Sequence, residues 1–513
     1  MARFESKIIG IDLGTTNTLV SYYDEIAKRG ECCTSREGGS LTPSAVFFEN
    51  ADSYIVGRDA KDSAILYPDR TALYFKRLMG ETKEAIDIGG TVYSPQQLSA
   101  FVLKKVVEDA TEELEEEIKD VVITVPAYFT SAAKQATKEA GIIAGLNVRD
   151  IIDEPCAALY HIDSINDLSG KTVMIFDLGG GTLDRIAAEV KDNEINEIAI
   201  GGDTELGGKD WDRMLQQYIR DRYLDGRTLR PDDEQDFGHD VEYVKISLTG
   251  KMESRMILRD DAVKIPVRIT RSEFETCTKP LLDKVRKTVQ GFMDDLIDRG
   301  VSEFDKIIMV GGASRMPQIS EMLQTIFPDT ELIQKDCDEA VAKGAAVYAK
   351  RIAQKAKRFS VRRSFTPKRL NRISARSYGI AALLGDYGEK KICNMIFKSA
   401  DLPASVSKKF YTSIDNQKKV NISVYETTAT ERYADIDERT LLGNCELIID
   451  GDIPRKSEIL VDFNLRQDGT LTVEGREPKG QTSVRAVMES RALLNADELI
   501  AQKDTVNKLI MKE

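Results

Sequence analysis

The sequence predicts an α/β protein with two similar lobes that face each other across a cleft, followed by a β-rich C-terminal part. Two glycine-containing loops predict the lobes, because each follows a short apolar strand and carries an Asp-Leu-Gly sequence, starting at Asp12 and Asp177. A spacing of about 165 residues between them indicates an internal duplication. Alternating apolar and polar residues beyond residue 376 predict a half-buried β-sandwich.

The central loop, residues 177–184, places two carboxylates and three consecutive glycines directly after an apolar strand. Glycines let the backbone turn tightly and bring its N–H groups close to an anion. Asp177 and Asp184 flank this turn, and one or two carboxylates together with phosphate oxygens are the usual ligands of hydrated Mg²⁺. The loop therefore predicts a phosphate and metal site, with an ordinary hairpin turn as the alternative for an isolated glycine triplet.

Recurrence of the pattern argues against an ordinary turn. Residues 8–17 repeat the order of strand, Asp-Leu-Gly and hydroxyl side chains, and residues 306–315 give a third strand that ends in glycines. Three such loops can surround one nucleotide. The chain has no G-x-x-x-x-G-K-[ST] sequence, since the nearest stretch, residues 207–209, is followed by Asp210. The phosphates are thus predicted to be held by glycine hairpins from both lobes.

Five motifs, taken in order, closely resemble the signatures of the 70-kDa heat shock (DnaK-type) chaperones. They are residues 12–17, 125–129, 177–184, 202–208 and 310–317. The resemblance is strong over residues 7–350 and weaker from about 376 to 480. It implies an actin-like bilobed ATPase with duplicated ribonuclease-H-like lobes, a β-sandwich that binds peptides, and a short C-terminal helix in place of most of the family's helical lid.

The predicted domain boundaries combine this resemblance with the charge pattern. They are an ATPase domain at 1–349, a basic linker at 350–375, a β-sandwich at 376–480 and a truncated helical tail at 481–513. Residues 350–376 hold eleven Lys or Arg and no Asp or Glu. This segment is either a solvated linker or a docking site for an acidic partner.

The resemblance also implies the residues that act on ATP. The implied catalytic lysine is Lys76, whose ammonium would lie against the terminal phosphate, and the implied residues that organise metal and water are Glu154, Asp177, Thr182 and Asp184. Mg²⁺ would be held through water by Asp12 and Asp177, and K⁺ is a candidate second cation. The implied ATP/ADP-binding residues are Asp12, Gly14, Thr15, Thr16, Asn17, Gly179, Gly180, Gly181, Gly207, Gly208, Glu242, Lys245, Thr249, Gly311, Gly312, Ala313, Arg315 and Asp338.

Two further sets of residues concern peptide binding and its control. Phe410, Val420 and Ile422 match the family's apolar peptide pocket, where an extended chain binds through backbone hydrogen bonds; packing in the β-core is the alternative. Pro126 and a nearby basic residue, Lys134, are implied to relay the nucleotide state to the β-domain.

Three departures from the family affect its partners and its peptide cycle. Asp150 stands where DnaK-type chaperones carry an arginine that contacts the J-domain, and this opposite charge disfavours ordinary J-protein docking. The family's acidic, leucine-rich linker is replaced by the basic segment, so altered coupling between domains is expected. Without a full lid, trapped peptide is expected to escape quickly.

Composition excludes several other functions. The net charge of −13 disfavours nucleic-acid binding. No apolar span of membrane length and no secretion signal is apparent, so a cytoplasmic location is predicted. Seven scattered cysteines without a C-x-x-C pair argue against a disulfide framework or a zinc site.

The predicted function is that of an ATP-dependent chaperone. It would bind unfolded or extended polypeptide and couple slow ATP hydrolysis to peptide capture and release, with a J-domain protein and a nucleotide-exchange factor as partners. One alternative is a nucleotide-switched regulatory or scaffold protein with a dedicated partner. The other is a small-molecule kinase of the same superfamily, which shares the paired glycine loops but not the β-rich C-terminus.

Overall fold

The structure is a computed structural model that describes residues 7–81, 86–260, 263–356, 368–385, 388–449, 452–478, 482–488 and 494–512. Its helices are α1 Arg58–Ser63, α2 Pro95–Leu114, α3 Ser131–Ile143, α4 Glu154–Asn166, α5 Gly208–Tyr223, α6 Pro231–Gly250, α7 Arg271–Cys277, α8 Lys279–Ile297, α9 Pro317–Ile326, α10 Ala340–Ala356 and α11 Ala496–Lys508. Across this described part of the chain, none of the helices combines the length and apolarity needed to cross a membrane.

The strands, in chain order, are β1 Ile8–Leu13, β2 Asn17–Asp24, β3 Arg29–Cys32, β4 Thr42–Pro43, β5 Ala45–Asn50, β6 Ser53–Val56, β7 Thr71–Leu73, β8 Ile86–Ile88, β9 Thr91–Tyr93, β10 Asp120–Val125, β11 Asn147–Asp153, β12 Lys171–Leu178, β13 Leu183–Val190, β14 Glu194–Asp203, β15 Glu253–Asp260, β16 Val263–Thr270, β17 Lys306–Val310, β18 Glu331–Ile333, β19 Arg369–Asn371, β20 Ser377–Leu383, β21 Lys390–Ile396, β22 Ala404–Tyr411, β23 Lys419–Thr427, β24 Tyr433–Ala434, β25 Leu441–Ile448, β26 Glu458–Leu465, β27 Leu471–Glu477, β28 Thr482–Met488 and β29 Ile510–Met511.

Two sheets with the same topology form the lobes. The first has the order β11-β10-β1-β2-β3, in which β1, β2 and β3 are antiparallel and β1, β10 and β11 are parallel. The second has the order β18-β17-β12-β13-β14, with the same change from a three-stranded meander to two parallel strands. The predicted duplication is confirmed. Because β1 and β12 are central in both sheets, the Asp-Leu-Gly loops that follow them occupy equivalent places.

Two helices join the lobes through one core. α4 and α10 pack against each other and against residues of both sheets. The helices approach closely where Gly344 lies against the backbone of Ala157, and a methyl group at that glycine would overlap the Ala157 carbonyl. The cleft between the lobes is therefore bounded at its base by a tightly packed helix crossing.

The C-terminal part is a β-sandwich, as predicted. Its sheets have the orders β24-β21-β20-β23-β25 and β22-β26-β27-β28. The inward side chains alternate along β26, where Ile459, Val461, Phe463 and Leu465 are all buried. The predicted turn at residues 468–469 joins β26 to β27, with Gly469 at a φ of 83°.

The segment predicted as a helical tail, residues 481–513, contains a strand before its helix. Residues 482–488 form strand β28, which pairs with β27. The helical interpretation of these residues was wrong, because their exposure alternates with a period of two and Val484, Ala486 and Met488 pack against the sandwich core. A helix appears only from Ala496 onward.

The basic segment contacts the preceding part of its own chain. Residues 350–356 continue α10, whereas 357–367 lie outside the described residues. Arg351 donates to the Tyr160 hydroxyl at 2.7 Å, and Lys368 pairs with Asp163 at 2.7 Å. Strand β19 then extends the second lobe's sheet by pairing with β14. The described part of this segment is therefore bound rather than freely solvated.

The C-terminal segment, residues 494–512, returns to the first lobe. Val506 of α11 is fully buried in that lobe's core. Strand β29 pairs in parallel with β6, where the Ile510 N–H donates to the Asp52 carbonyl and the Lys512 N–H to the Tyr54 carbonyl, both at 2.8 Å. The sandwich is thus connected to the ATPase lobes at both of its chain ends.

Replacing Val506 by Ala tests this return. The lost methyl groups and the cavity left behind should cost about 2 kcal/mol. We expect amide hydrogen exchange at Ile510 and Lys512 to accelerate by about 30-fold if this segment opens locally. Ile500→Ala on the same helix is the control, because Ile500 is 59% exposed and its loss should change exchange by less than about threefold. Unchanged exchange in Val506→Ala would contradict the packing.

Candidate nucleotide site

The loops of the two lobes meet at the cleft. Thr15 and Thr16, between β1 and β2, face Gly180 and Gly181, between β12 and β13. A methyl group on Gly180 would overlap the Thr16 hydroxyl, and one on Gly181 would lie 2.8 Å from Thr15 Oγ1. The two loops are therefore in close contact, and a side chain at either glycine would have to displace a threonine side chain of the first lobe.

A cluster of charged residues lies beside these loops. The Lys76 ammonium lies 2.5 Å from Glu154 Oε1, at the start of α4, and Lys76 is only 4% exposed. Asp177 and Asp184 are directly opposite each other on β12 and β13, and both are buried. Asp12 is held from the first lobe by the Thr124 hydroxyl, which donates to its carboxylate at 2.9 Å.

The cluster has an excess of negative charge. Burial, followed by repulsion from Glu154, raises the pKa of Asp12 and of Asp184 to about 7 each. The same two causes raise the pKa of Asp177 well above its usual range, with Asp184 and Asp12 adding further repulsion. Four carboxylates thus surround one ammonium, an arrangement that a bound cation would stabilise.

The donor set fits Mg²⁺. Carboxylate oxygens are its preferred protein ligands, and it usually keeps several waters while contacting one or two carboxylates. No group of three His, Cys, Asp or Glu side chains within the described ranges is placed to hold a metal ion. Asp12 and Asp177 lie in opposite lobes and are close enough to repel each other, and their role in holding a hydrated Mg²⁺ stays a prediction.

The predicted glycine turn at residues 207–208 packs against the central loop. The Gly208 N–H donates to the Gly179 carbonyl at 2.9 Å, and the Gly207 N–H donates to Asp210 Oδ2 at 2.8 Å. Gly207 lies so close to Gly181 that a side chain there would overlap its backbone. These contacts place the N-terminus of α5 beside the phosphate loops, where its positive dipole end favours an anion.

The remaining loop residues are positioned by backbone hydrogen bonds and by the Ser44 side chain. The Gly14 N–H donates to the Asp12 carbonyl at 3.1 Å, and the Ser44 hydroxyl donates to the Gly14 carbonyl at 2.8 Å. Asn17 begins β2. The Thr182 carbonyl accepts from the Gly179 N–H at 3.0 Å, which closes the central turn.

The predicted adenosine-side helix is α6, and its three residues make different contacts. Glu242 pairs with Lys61 of the first lobe at 2.9 Å. The Lys245 ammonium donates to the Gly208 carbonyl at 3.0 Å and pairs with Asp212 at 2.8 Å. The Thr249 hydroxyl instead donates to the Ile246 carbonyl of its own helix. Glu242 and Lys245 therefore face the cleft, whereas the described bond of Thr249 stays within α6.

The loop after β17 lies against the central carboxylate. Gly311 adopts a φ of 80°, and a side chain there would meet Asp177 and the Leu178 carbonyl. Ala313 is buried in the second lobe's core. Gly312 lies beside Asp338, and Arg315 donates to that carboxylate at 2.6 Å. The structure thus brings this predicted group to the same cleft.

Several residues that close the cleft were not predicted. Arg77 donates to the Gly181 carbonyl at 2.7 Å and to Asp210 at 3.2 Å, so it joins the first lobe to both glycine turns of the second. In the sequence it is the arginine of the F-x-R-L-x-G pattern that contains Lys76, but no role was predicted for it. Lys209 lies over the Tyr74 ring, and burial together with Arg77 lowers the pKa of its ammonium to about 6.

The predicted peptide residues line a cavity in the sandwich. Phe410, Val420 and Ile422 contribute to a space of about 680 Å³ that is bordered by strands of both sheets. Ile422 is buried in the core, whereas Phe410 and Val420 are only partly buried. The two alternatives, pocket lining and core packing, therefore apply together.

Of the two predicted relay residues, Lys134 lies where the sandwich meets the first lobe. Pro126 follows β10, and Lys134 of α3 pairs with Asp153 at 2.6 Å. Asp150 accepts a hydrogen bond from the Tyr348 hydroxyl at 2.7 Å. The charged side chains of Lys134 and Asp150 both border the crevice between α3, β11 and the sandwich.

Comparison with known proteins gives one consistent result. A protein-family model described as "Hsp70 protein" matches residues 8–89 and 81–509. The chain is 34% identical to the chaperone protein DnaK of Thermosipho melanesiensis over 97% of its own length and 83% of the relative's. It is 35% identical to the chaperone proteins DnaK of Thermotoga petrophila and Thermotoga maritima, with the same coverage.

Replacing Arg77 by Ala tests the bridge between the lobes. Loss of a charged donor to the Gly181 carbonyl should weaken ATP binding by about tenfold or more. Isothermal titration calorimetry measures this change, with Arg255→Ala as the control because Arg255 is exposed on the β15–β16 hairpin. Equal affinities in both variants would contradict a role for Arg77 in closing the cleft.

Proposed function

The chain belongs to the Hsp70 family, and on that premise we propose that it is a molecular chaperone in which ATP hydrolysis controls the binding of extended apolar peptides. Members of this family are ATPases that bind ATP or ADP, generally with Mg²⁺. In the proposal, residues 1–349 bind nucleotide, residues 376–480 together with β28 bind peptide, and residues 350–375 connect them.

One observation carries the proposal: a single residue contacts both the nucleotide cleft and the start of the sandwich. The Tyr128 N–H donates to Asp184 Oδ1 at 3.0 Å. The Tyr128 carbonyl accepts from Arg376 at 2.6 Å, and the Arg376 guanidinium lies 4.1 Å from the centre of the Tyr128 ring. A shift of Asp184 on binding or releasing phosphate would move the residue against which Arg376 packs.

Nucleotide binding would use groups from both lobes. The loops at residues 15–16 and 180–181 face each other across the cleft and would offer backbone N–H groups to phosphate oxygens, whereas the Gly14 and Gly179 N–H groups already donate to carbonyls of their own loops. The group formed by Glu242, Lys245 and the Gly311 loop would hold the adenosine side. Bound ATP would thus contact both lobes, which are also connected directly by Arg77 and by Lys61.

Hydrolysis would depend on the charged cluster. The Lys76 ammonium, held by Glu154, would stabilise the charge that develops on the transferred phosphoryl group. Glu154, Asp184 and Thr182 would orient the attacking water. Mg²⁺, when bound through water by Asp12 and Asp177, supplies charge neutralisation at the phosphates.

Coupling to the sandwich would pass through the N-terminus of α3. Glu426 of β23 accepts from the Ser131 N–H at 3.1 Å, and the Ser131 hydroxyl lies 2.9 Å from that of Tyr378. Pro126 and Lys134 lie on either side of this contact in the chain. Nucleotide-dependent closure of the lobes would change this interface and hence the affinity for peptide.

The proposed partners are extended polypeptides, a J-domain protein and a nucleotide-exchange factor. The Asp150 carboxylate lies at the crevice between α3, β11 and the sandwich. A J-domain that docks there would need a cationic group opposite Asp150, the reverse of the usual arrangement.

A scaffold protein with a dedicated partner is the second candidate. Strand β29 pairs with β6, so the end of the chain fastens the sandwich side to the first lobe. This pairing would restrict separation of the sandwich from the first lobe. It therefore favours a protein whose conformation depends on the bound nucleotide but which does not capture and release peptides. ATP turnover that ignores every peptide, at normal ATP affinity, would favour this candidate.

Replacing Lys76 or Asp177 by Ala tests the catalytic assignment. We expect kcat for ATP hydrolysis to fall by about 100-fold or more, because charge stabilisation or metal positioning is lost. Steady-state phosphate release measures the effect. Lys191→Ala is the control, since Lys191 lies on the surface of the second lobe and pairs with Glu189. Retained turnover in both variants would contradict the assignment.

Replacing Glu426 by Ala tests the coupling. The variant removes the acceptor of the Ser131 N–H, so peptide should no longer stimulate ATP turnover, while basal turnover stays within about twofold. Glu446→Ala on neighbouring strand β25, where Glu446 pairs with Lys419, is the control. Equal stimulation in the two variants would exclude this route.

A further inference from the structure

We propose that Lys209 binds the phosphate chain of the nucleotide from the second lobe. The inference rests on the proposed function, since it assigns one further residue to the nucleotide site. It depends on the position of Lys209 at the start of α5, on its contact across the cleft and on the pairing of the other cations around it.

Lys209 is the second residue of α5 and directly follows the glycine turn at residues 207–208. The backbone of this segment contacts the central loop, because the Lys209 N–H donates to the Gly180 carbonyl at 3.1 Å. The lysine of a P-loop likewise lies where a glycine loop meets the start of a helix, and from there it reaches the phosphates. Residues 207–209 lack the hydroxyl residue of that motif but retain its glycine and lysine.

The Lys209 side chain extends to the first lobe. Its amino group lies over the ring of Tyr74. Arg77, which joins the first lobe to the central loop, is close enough to repel this amino group when it is charged. Glu242, on the predicted adenosine-side helix, is close enough to attract it. Lys209 therefore lies near both the phosphate loops and the predicted adenosine side.

Lys209 differs from neighbouring cations because no carboxylate contacts it. Five other cations in and beside the cleft each pair with one: Lys61 with Glu242, Lys76 with Glu154, Arg77 with Asp210, Lys245 with Asp212 and Arg315 with Asp338. Among the described residues, the amino group of Lys209 has neither a hydrogen-bond partner nor an ion-pair partner, and its contact is with the Tyr74 ring. This amino group is thus available to a phosphate oxygen.

The surroundings of Lys209 disfavour its charged form until an anion arrives. Burial, followed by repulsion from Arg77, lowers the pKa of the ammonium to about 6. Asp212, Glu242 and Asp210 act in the opposite direction, but each of them pairs with another cation, and they do not outweigh the burial. A phosphate oxygen in contact with Lys209 would favour the ammonium, so it would raise this pKa.

Nucleotide binding should therefore be coupled to proton uptake at Lys209. Near pH 7.5 the amine is mainly uncharged, since its pKa is about 6, and contact with phosphate would add up to about one proton. The buried carboxylates of the charged cluster act in the opposite direction, because a bound cation would favour their charged forms. The contribution of Lys209 is thus the difference in proton uptake between the unmodified chain and a variant without the amine.

Isothermal titration calorimetry on the full chain tests the proposal, with Mg-ADP at that pH in two buffers of different ionisation enthalpy. Lys209→Met retains an aliphatic chain against Tyr74 but removes the charge. We expect this variant to bind Mg-ADP about tenfold more weakly and to take up fewer protons, by about 0.5 or more per nucleotide. Lys171→Met is the matched control, because Lys171 lies at the exposed start of β12 and pairs with Asp305. Neither quantity should change in the control.

Lys209→Arg separates the charge from its titration. A guanidinium is always charged, so this variant should bind Mg-ADP within about threefold of the unmodified chain and yet show the reduced proton uptake of Lys209→Met. Unchanged affinity or unchanged proton uptake in Lys209→Met would overturn the inference. An equal loss of affinity for adenosine, which has no phosphate, would also overturn it, because the loss would then come from closure of the cleft.

Failure of the unmodified chain to bind Mg-ADP would instead overturn the proposed nucleotide function, and the inference with it.

Discussion

The structure depends on a concentration of negative charge between two lobes. Asp12 and Glu154 come from the first lobe and its connecting helix, Asp177 and Asp184 from the second, and Lys76 is the ammonium among them. Buried like charges repel strongly because the surroundings screen them poorly. A bound cation would reduce this repulsion, and in the proposed function its arrival with the nucleotide would change the forces that hold the lobes together.

Polar contacts connect the two lobes around the cleft. Arg77 and Lys61 bridge the lobes by hydrogen bonds and an ion pair, whereas the base of the cleft is fixed by the close packing of α4 and α10. Such an arrangement permits the lobes to move at the mouth of the cleft while their base stays packed. Tyr128 links the charged cluster to Arg376, so this motion has a direct route to the sandwich.

Local patterns in the sequence predicted much of the fold. The glycine loops and the strands before them follow from short-range chemistry, and the period-two alternation along β26 predicted the sandwich. The strand β28 was hard to distinguish from a helix because Ala486, Val487 and Met488 form an unbroken apolar run that hides the alternation. The return of α11 and β29 to the first lobe pairs residues more than 400 positions apart. Contacts across the cleft, such as Lys61 with Glu242, likewise have no local signal because each partner alone resembles an ordinary surface charge.

Within the candidate site, the residues next to glycines were predicted best, since tight turns restrict the residue type. The basic segment shows a limit of prediction from composition. Arg351 bonds to Tyr160 and Lys368 pairs with Asp163. These partners are distant in the sequence, so composition alone did not predict that the basic residues contact the ATPase lobes.

The central claim is that the nucleotide cleft controls the sandwich. Stopped-flow measurement of peptide release tests it most directly: the full chain is loaded with a labelled apolar peptide and mixed with Mg-ATP or with buffer. We expect ATP to accelerate release by at least about tenfold, because closure of the lobes alters the contacts at Tyr128 and Ser131. Identical release rates with and without ATP, at concentrations where ATP binds, would contradict the account.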